Sequence, residues 1–84
     1  MNRYSAEVRI TPRAGLLDPE GKAVLSALRS LEFDEIEDVR VGRLILLQLL
    51  ADSRSQAQQS AETMCRRLLA NPVTEDFEIV LKDS

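Results

Sequence analysis

The sequence predicts an α+β domain built as a two-layer sandwich, a sheet with two helices on one face, in the order β-α-β(β)-α-β. Three observations predict it. Apolar residues alternate with period two near both ends of the chain, two segments show helical periodicity behind N-cap signals, and the run between them is too apolar for one pleat face. Each terminal strand has one apolar face and each helix one apolar stripe, so a single sheet covered by helices removes most of them from water.

The first strand is read from Tyr4, Ala6, Val8 and Ile10, which alternate with Arg3, Ser5, Glu7 and Arg9. Thr11 to Gly15 breaks the pattern. Asp18-Pro19 then supplies an N-cap residue followed by proline at the first helical position, and a helix is expected from about Pro19 to Leu31. Val24, Leu25, Leu28 and Leu31 form its apolar stripe, expected to lie on the sheet. The connection Glu32 to Asp38 holds five carboxylates around Phe33 and Ile36 and reads as solvated.

The second sheet segment is expected from Val39 to Ala51. Val39, Val41, Ile45, Leu47 and Leu49 keep the strand period, yet Leu44, Leu46 and Leu50 are apolar too, so both pleat faces seek cover. Gly42-Arg43 interrupts the run either as a bulge in one strand or as a Gly-first hairpin turn, giving three strands or four. Ser53-x-x-Gln56 has the form of a capping box, after which Ala57, Ala61, Met64, Cys65 and Leu68 recur at helical spacing until Asn71-Pro72. Val73, Phe77, Ile79 and Leu81 then mark a half-buried closing strand. The pattern is ferredoxin-like in character, and residues 1–84 read as one domain without a linker.

With 84 residues, a net charge of −3 and no histidine, the chain lacks the basic surface that counterion release would require, which disfavours nucleic acid as a partner. The single cysteine, Cys65, has no second thiol to pair with and lies on an apolar stripe, so packing is its expected role in a reducing, cytoplasmic setting. The longest apolar run, Leu44 to Leu47, is far short of the roughly 20 residues that cross a bilayer, so no membrane association is expected.

Chemistry is hard to build from these residues. There is no histidine to activate a nucleophile, no His/Cys set for zinc and no phosphate-loop spacing around Gly15 and Gly21, so the residues call for no catalytic group, cofactor or metal. Arg66 and Arg67 have a structural explanation near a helix C-terminus, with Glu62 four residues before Arg66. Arg40 and Arg43 beside Gly42 are read as edge decoration or as contacts to an anionic partner surface.

Three segments in order, Leu17 to Val24 (LDPEGKAV), Asp38 to Arg43 (DVRVGR) and Cys65 to Phe77 (CRRLLANPVTEDF), resemble the signatures of the PurS family, the small subunit of phosphoribosylformylglycinamidine synthase. The resemblance implies a cytoplasmic, non-catalytic assembly subunit of a glutamine-hydrolysing, ATP-dependent ligase of purine biosynthesis. Its implied partners are a glutaminase subunit, a large synthetase subunit and a second copy of itself, as a homodimer or higher homo-oligomer. Carried over by position, it nominates Asp18, Pro19, Gly21, Arg40, Gly42, Arg43, Asn71, Pro72, Val73 and Glu75 as partner-interface residues. The family commonly has lysine where Arg43 stands, and acidic or polar residues at the positions of Leu44 and Leu46. Leu44, Leu46 and Leu50, on the face the helices cannot reach, are the expected dimer interface. The alternative is a small-ligand-binding regulatory domain of ferredoxin-like type, since fold alone does not choose.

Overall fold

The structure, a computed structural model, describes residues 1–83 as β1 (Asn2–Pro12), α1 (Pro19–Ser30), β2 (Arg43–Ala51), α2 (Arg54–Met64) continued by a π-turn (Cys65–Leu69), and β3 (Glu75–Asp83). The strands form one antiparallel sheet in the order β2-β1-β3. The α+β class, the three-stranded sheet and the two helices follow the sequence pattern. In register, Val8 stands opposite Ile45 and Ile79, and Ala6 opposite Leu47 and Leu81. Directly opposed residues share a face, so the three alternating patterns add up to one apolar surface.

That surface is covered by α2. Ala57 and Ala61, one turn apart, and Cys65 in the π-turn are buried against it, and their small size lets the helix axis come close. Tyr4, Ala6, Ala51, Ala57 and Leu81 make one end of the core, and Val8, Ile10, Cys65 and Ala70 the other. Ser53 caps α2 by accepting from Gln56 N at 3.1 Å, while Gln56 Oε1 accepts from Asp52 N, one residue earlier than in the standard box. Burial raises the pKa of the Cys65 thiol and leaves it a packing residue.

Two expectations are corrected. First, Val39 to Gly42 is not strand, because β2 begins at Arg43, and Gly42 is neither a bulge nor a hairpin turn. Second, α1 does not lie on the sheet beside α2, so only one helix covers that face. It makes no extended packing with any strand, and Gly21 is its only buried residue. Three strands about 4.8 Å apart make a narrow surface, and one helix about 10 Å across nearly fills it. The molecule is elongated in consequence, measuring 52 × 26 × 14 Å with a radius of gyration of 16.4 Å, against about 12 Å for a compact chain of this length.

The end of α1 carries a conformational cost. Glu32 N donates to Arg29 O and Phe33 N to Leu28 O, a Schellman closure that puts Glu32 at φ 70°. Glycine adopts that conformation freely, whereas for a residue with a Cβ it costs about 1–2 kcal/mol. Glu32→Gly is therefore expected to raise stability by roughly 0.5–1 kcal/mol, net of the greater freedom of glycine in the unfolded chain, as read from the urea midpoint.

Candidate functional site

The motif segments that are far apart in sequence meet at one end of the sheet. Asp18 sits at the N-terminus of α1, where its two carboxylate oxygens take different roles. Oδ1 accepts from Gly21 N at 3.0 Å and caps the helix, and Oδ2 accepts from Val41 N at 3.1 Å and tethers the chain entering β2. Pro19 follows in the first helical turn, where its missing N–H leaves no bond unmade. Gly21 is required by proximity, since a Cβ there would stand 2.3 Å from Val39 O and 2.5 Å from Asp18 Oδ2. Gly42 is required in the same way by β1, whose Ile10 O would lie 2.1 Å from its Cβ.

Arg43 opens β2 and forms the second tie. Its guanidinium is bidentate to Glu75, at 2.8 and 3.0 Å, and also donates to Leu69 O at 2.7 Å, the last carbonyl of the π-turn. Glu75 Oε1 in addition accepts from Asn71 N, and Asn71 Oδ1 accepts from Val73 N. One ion pair thereby links the start of β2, the end of α2 and the start of β3. A lysine, with its single ammonium, would not reach all three acceptors with that geometry. Pro72 O accepts from Arg13 Nη2 at 2.6 Å, and Arg13 Nε lies 3.4 Å from Asp76, which pins the same turn to β1.

Together Pro12, Asp18, Pro19, Glu20, Val41, Gly42, Arg43 and Glu75 line an open cleft of about 460 Å³. Eight of the ten nominated partner-interface residues thus belong to one polar scaffold: Asp18, Pro19, Gly21, Gly42, Arg43, Asn71, Pro72 and Glu75. Val73 is exposed beside it, and Arg40 is exposed with no ion pair among the described residues. The sequence reading missed Arg13, treated only as part of a loop, and Arg54, which bonds Asp83 and Leu81 O. Neither stands in a motif or periodic pattern that would have marked it. Leu44, Leu46 and Leu50, the leucines expected at a dimer interface, project from the side of β2 away from α2, exposed by 58%, 70% and 57%.

The electrostatics follow the hydrogen bonds. Asp18 has a lowered pKa because the Gly21 and Val41 amides stabilise its anion, helped by the nearby charge of Arg40. That of Glu75 is lowered by the Asn71 amide and then by Arg43. Both groups are thus more acidic folded than unfolded. Their stabilisation is full above the ordinary carboxylate range and is lost as pH falls through the lowered folded values. Urea midpoints at pH 7 and pH 3 are expected to differ less for Glu75→Gln than for the wild type, with the variant weaker at pH 7. Equal pH sensitivity would mean that Glu75 is not part of the acid transition.

No cluster of three or more His, Cys, Asp and Glu side chains able to hold a metal occurs among the described residues. Among the described residues, no helix is long and apolar enough to cross a membrane.

Comparison with known proteins gives a consistent result. The sequence profile of PurS, phosphoribosylformylglycinamidine (FGAM) synthase, matches residues 5–83. The chain is 42% identical over 74 residues to the PurS subunit of phosphoribosylformylglycinamidine synthase from Synechocystis, covering 88% of this chain and 74% of that one. It is 38% identical over 78 residues to the corresponding subunit of Archaeoglobus fulgidus, covering 93% and 98%. Among solved structures, PurS of Methanocaldococcus jannaschii, one of the subunits of formylglycinamide ribonucleotide amidotransferase in the purine biosynthetic pathway, superposes with a TM-score of 0.85 at 33% identity, over 96% of this chain and 98% of that chain. A chain in the structure of PurLQS from Thermotoga maritima superposes with a TM-score of 0.90 at 26% identity, over 98% and 100%.

Proposed function

This chain belongs to the PurS family of phosphoribosylformylglycinamidine synthase, and from that premise we propose that it is the non-catalytic assembly subunit of the complex in purine biosynthesis. It bridges a glutaminase subunit and an ATP-dependent synthetase subunit, so that ammonia from glutamine reaches formylglycinamide ribonucleotide. The observation that carries this reading is the superposition on a chain of PurLQS over the full length of that chain. The polar scaffold supports it. Asp18, Arg43 and Glu75 line the cleft but are engaged in hydrogen bonds that hold its loops, which suits a rigid docking end.

In this reading the chain acts as one PurS-like unit in the cytoplasm, with Arg40 and Val73 as the contact groups presented by the scaffold. It works as a homodimer joined through the sheet face of Leu44, Leu46 and Leu50. Full burial of a leucine contributes about 1.5–3 kcal/mol before the cost of association, so three per protomer can support a micromolar dimer.

Reconstitution tests the proposal. Adding the chain to the two larger subunits is expected to restore glutamine-dependent ADP release, while the rate with ammonium chloride is the same with and without it. Equal glutamine-dependent rates in both mixtures would refute the assembly role. Exposed charge changes move stability by at most about 0.5 kcal/mol. Arg40→Glu is therefore expected to weaken binding to a larger subunit with the circular dichroism unchanged. Unaltered affinity in a titration against both subunits would return Arg40 to the role of edge charge.

A further inference from the structure

Residues 14–41 form an arm that is joined to the rest of the protein by little more than the chain itself. Beyond the turn bond from Leu16 N to Arg13 O at its foot, no hydrogen bond or ion pair among the described residues links this stretch to β1, β2, α2 or β3. Burial adds little. α1 makes no extended packing with any strand, Gly21 is its only buried residue, and Leu17, Val24, Leu31 and Phe33 are exposed.

Within the arm, by contrast, the helix and the leg that returns from it, residues 32–41, are fastened at both ends. At the far end Arg29 Nη2 donates to Ile36 O at 3.2 Å, and Phe33 N donates to Leu28 O at 3.1 Å. At the near end Asp18 holds both legs, accepting from Gly21 N through Oδ1 and from Val41 N through Oδ2. Between these points Gly21 lies too close to Val39 O for a Cβ to fit. Serving two donors at once requires two acceptor oxygens, which a carboxylate has and an amide or hydroxyl side chain does not place in the same way. The connections to the body differ. Gly15, at φ 84° with nothing within 4 Å of a Cβ position, gives the entering leg a free turn, whereas Gly42 on the leaving leg is wedged against Ile10 O. The open cleft lies between Pro19 and Glu20 of the arm and Arg43 and Glu75 of the body, so there is room for the arm to move.

We propose that residues 14–41 open as one unit, independently of the sheet and α2, and that the Asp18 carboxylate is the latch that holds this unit shut. In the opening, the leg from Glu32 to Val41 parts from α1 while the chain at Gly42 stays fixed against β1. The cleft changes shape and the core between the sheet and α2 does not. Local openings of this kind take place where few buried contacts oppose them, which is the condition of the arm and not of β1, paired on both sides.

Hydrogen exchange followed residue by residue by NMR, on the full chain at one protein concentration, tests the proposal. In the wild type the amides of Leu28, Leu31, Phe33 and Val41 are expected to exchange through one shared opening, faster than the amides of β1. Asparagine and serine both cap helices well but offer a single acceptor. Asp18→Asn and Asp18→Ser are therefore each expected to speed exchange across the arm about ten-fold, with β1 unchanged and the far-ultraviolet signal retained. Exchange unaltered in both variants would show that the bond to Val41 is no latch. Acceleration confined to Val41 would show that the legs do not open together. Equal acceleration in the arm and in β1, loss of the fold, or a wild-type arm that exchanges only with β1 would show that the arm is not a separate unit. Acceleration in Asp18→Asn alone would assign the effect to two donors facing each other. Each of these four results overturns the proposal.

Discussion

Gly42→Ala is expected to destabilise the protein by about 2–4 kcal/mol, lowering the melting temperature by roughly 10–20 °C at fixed protein concentration. The added Cβ would stand 2.1 Å from Ile10 O and 3.1 Å from Ile10 C, so the obstacle is strand backbone and not a side chain able to rotate away. Ile10 is paired with Arg43 in the β1–β2 ladder, and any retreat of β1 loosens both that pair and the Arg43–Glu75 tie. Gly15 is the control. It sits at φ 84° with nothing near its Cβ position, so Gly15→Ala strains only its own turn and is expected to cost about 1 kcal/mol. Comparable losses at the two positions would mean that close approach is not what selects glycine at 42. Because self-association of the kind proposed would make melting temperature depend on concentration, the variants need to be compared at one concentration.

The contrast between these glycines shows where sequence reading reaches its limit. β1, α2 and β3 were legible because each satisfies most of its own pattern, although Met64 and Leu68, read as part of the helical stripe, are exposed, and Val73, read as the start of the closing strand, is exposed ahead of β3. Ala57, Ala61 and Cys65 fall on the buried stripe, and Tyr4 to Ile10 on the buried pleat face. Val39 and Val41 satisfy the strand period equally well but form no strand, because the Asp18 carboxylate takes the Val41 amide and the ladder between β1 and β2 ends at Ile10 and Arg43. Periodicity records which residues leave water, not which chain covers them. The stripe of α1 was read correctly as apolar and wrongly placed on its own sheet, since the width of a three-stranded sheet is a tertiary quantity that no single segment encodes. The candidate site divides along the same line. Asp18-Pro19 and Ser53 were readable as caps from local chemistry, whereas the tie from Arg43 to Glu75 spans 32 residues and came into view only through motif resemblance, as two separate interface nominations.

Arg43→Glu is expected to lower the urea midpoint of the isolated chain well below that of the wild type, in contrast to the near-neutral fold expected for Arg40→Glu. A surface arginine on a strand edge would tolerate reversal. Arg43 is half exposed on the edge strand but is not free, because its guanidinium makes three hydrogen bonds to two acceptor groups and its partner Glu75 has a side chain only 18% exposed. Reversal removes the donors from Leu69 O, the carbonyl that ends the π-turn, and sets a second carboxylate against Glu75 while the Asn71 amide holds that carboxylate in place. Arg43→Lys separates geometry from charge. It keeps the cation but loses the fork, so a cost of about 1 kcal/mol is expected, and the difference between the lysine and glutamate variants reads the whole effect of reversing the charge, lost donors included. Charge exchange, Arg43→Glu with Glu75→Arg, is expected to recover only part of the loss, because an arginine at 75 cannot accept from Asn71 N as Glu75 does. Urea unfolding of the four chains gives the ranking wild type, lysine variant, exchanged pair, glutamate variant. A glutamate variant as stable as Arg40→Glu would show that the tie closes no part of the fold and would leave Arg43 free for a partner.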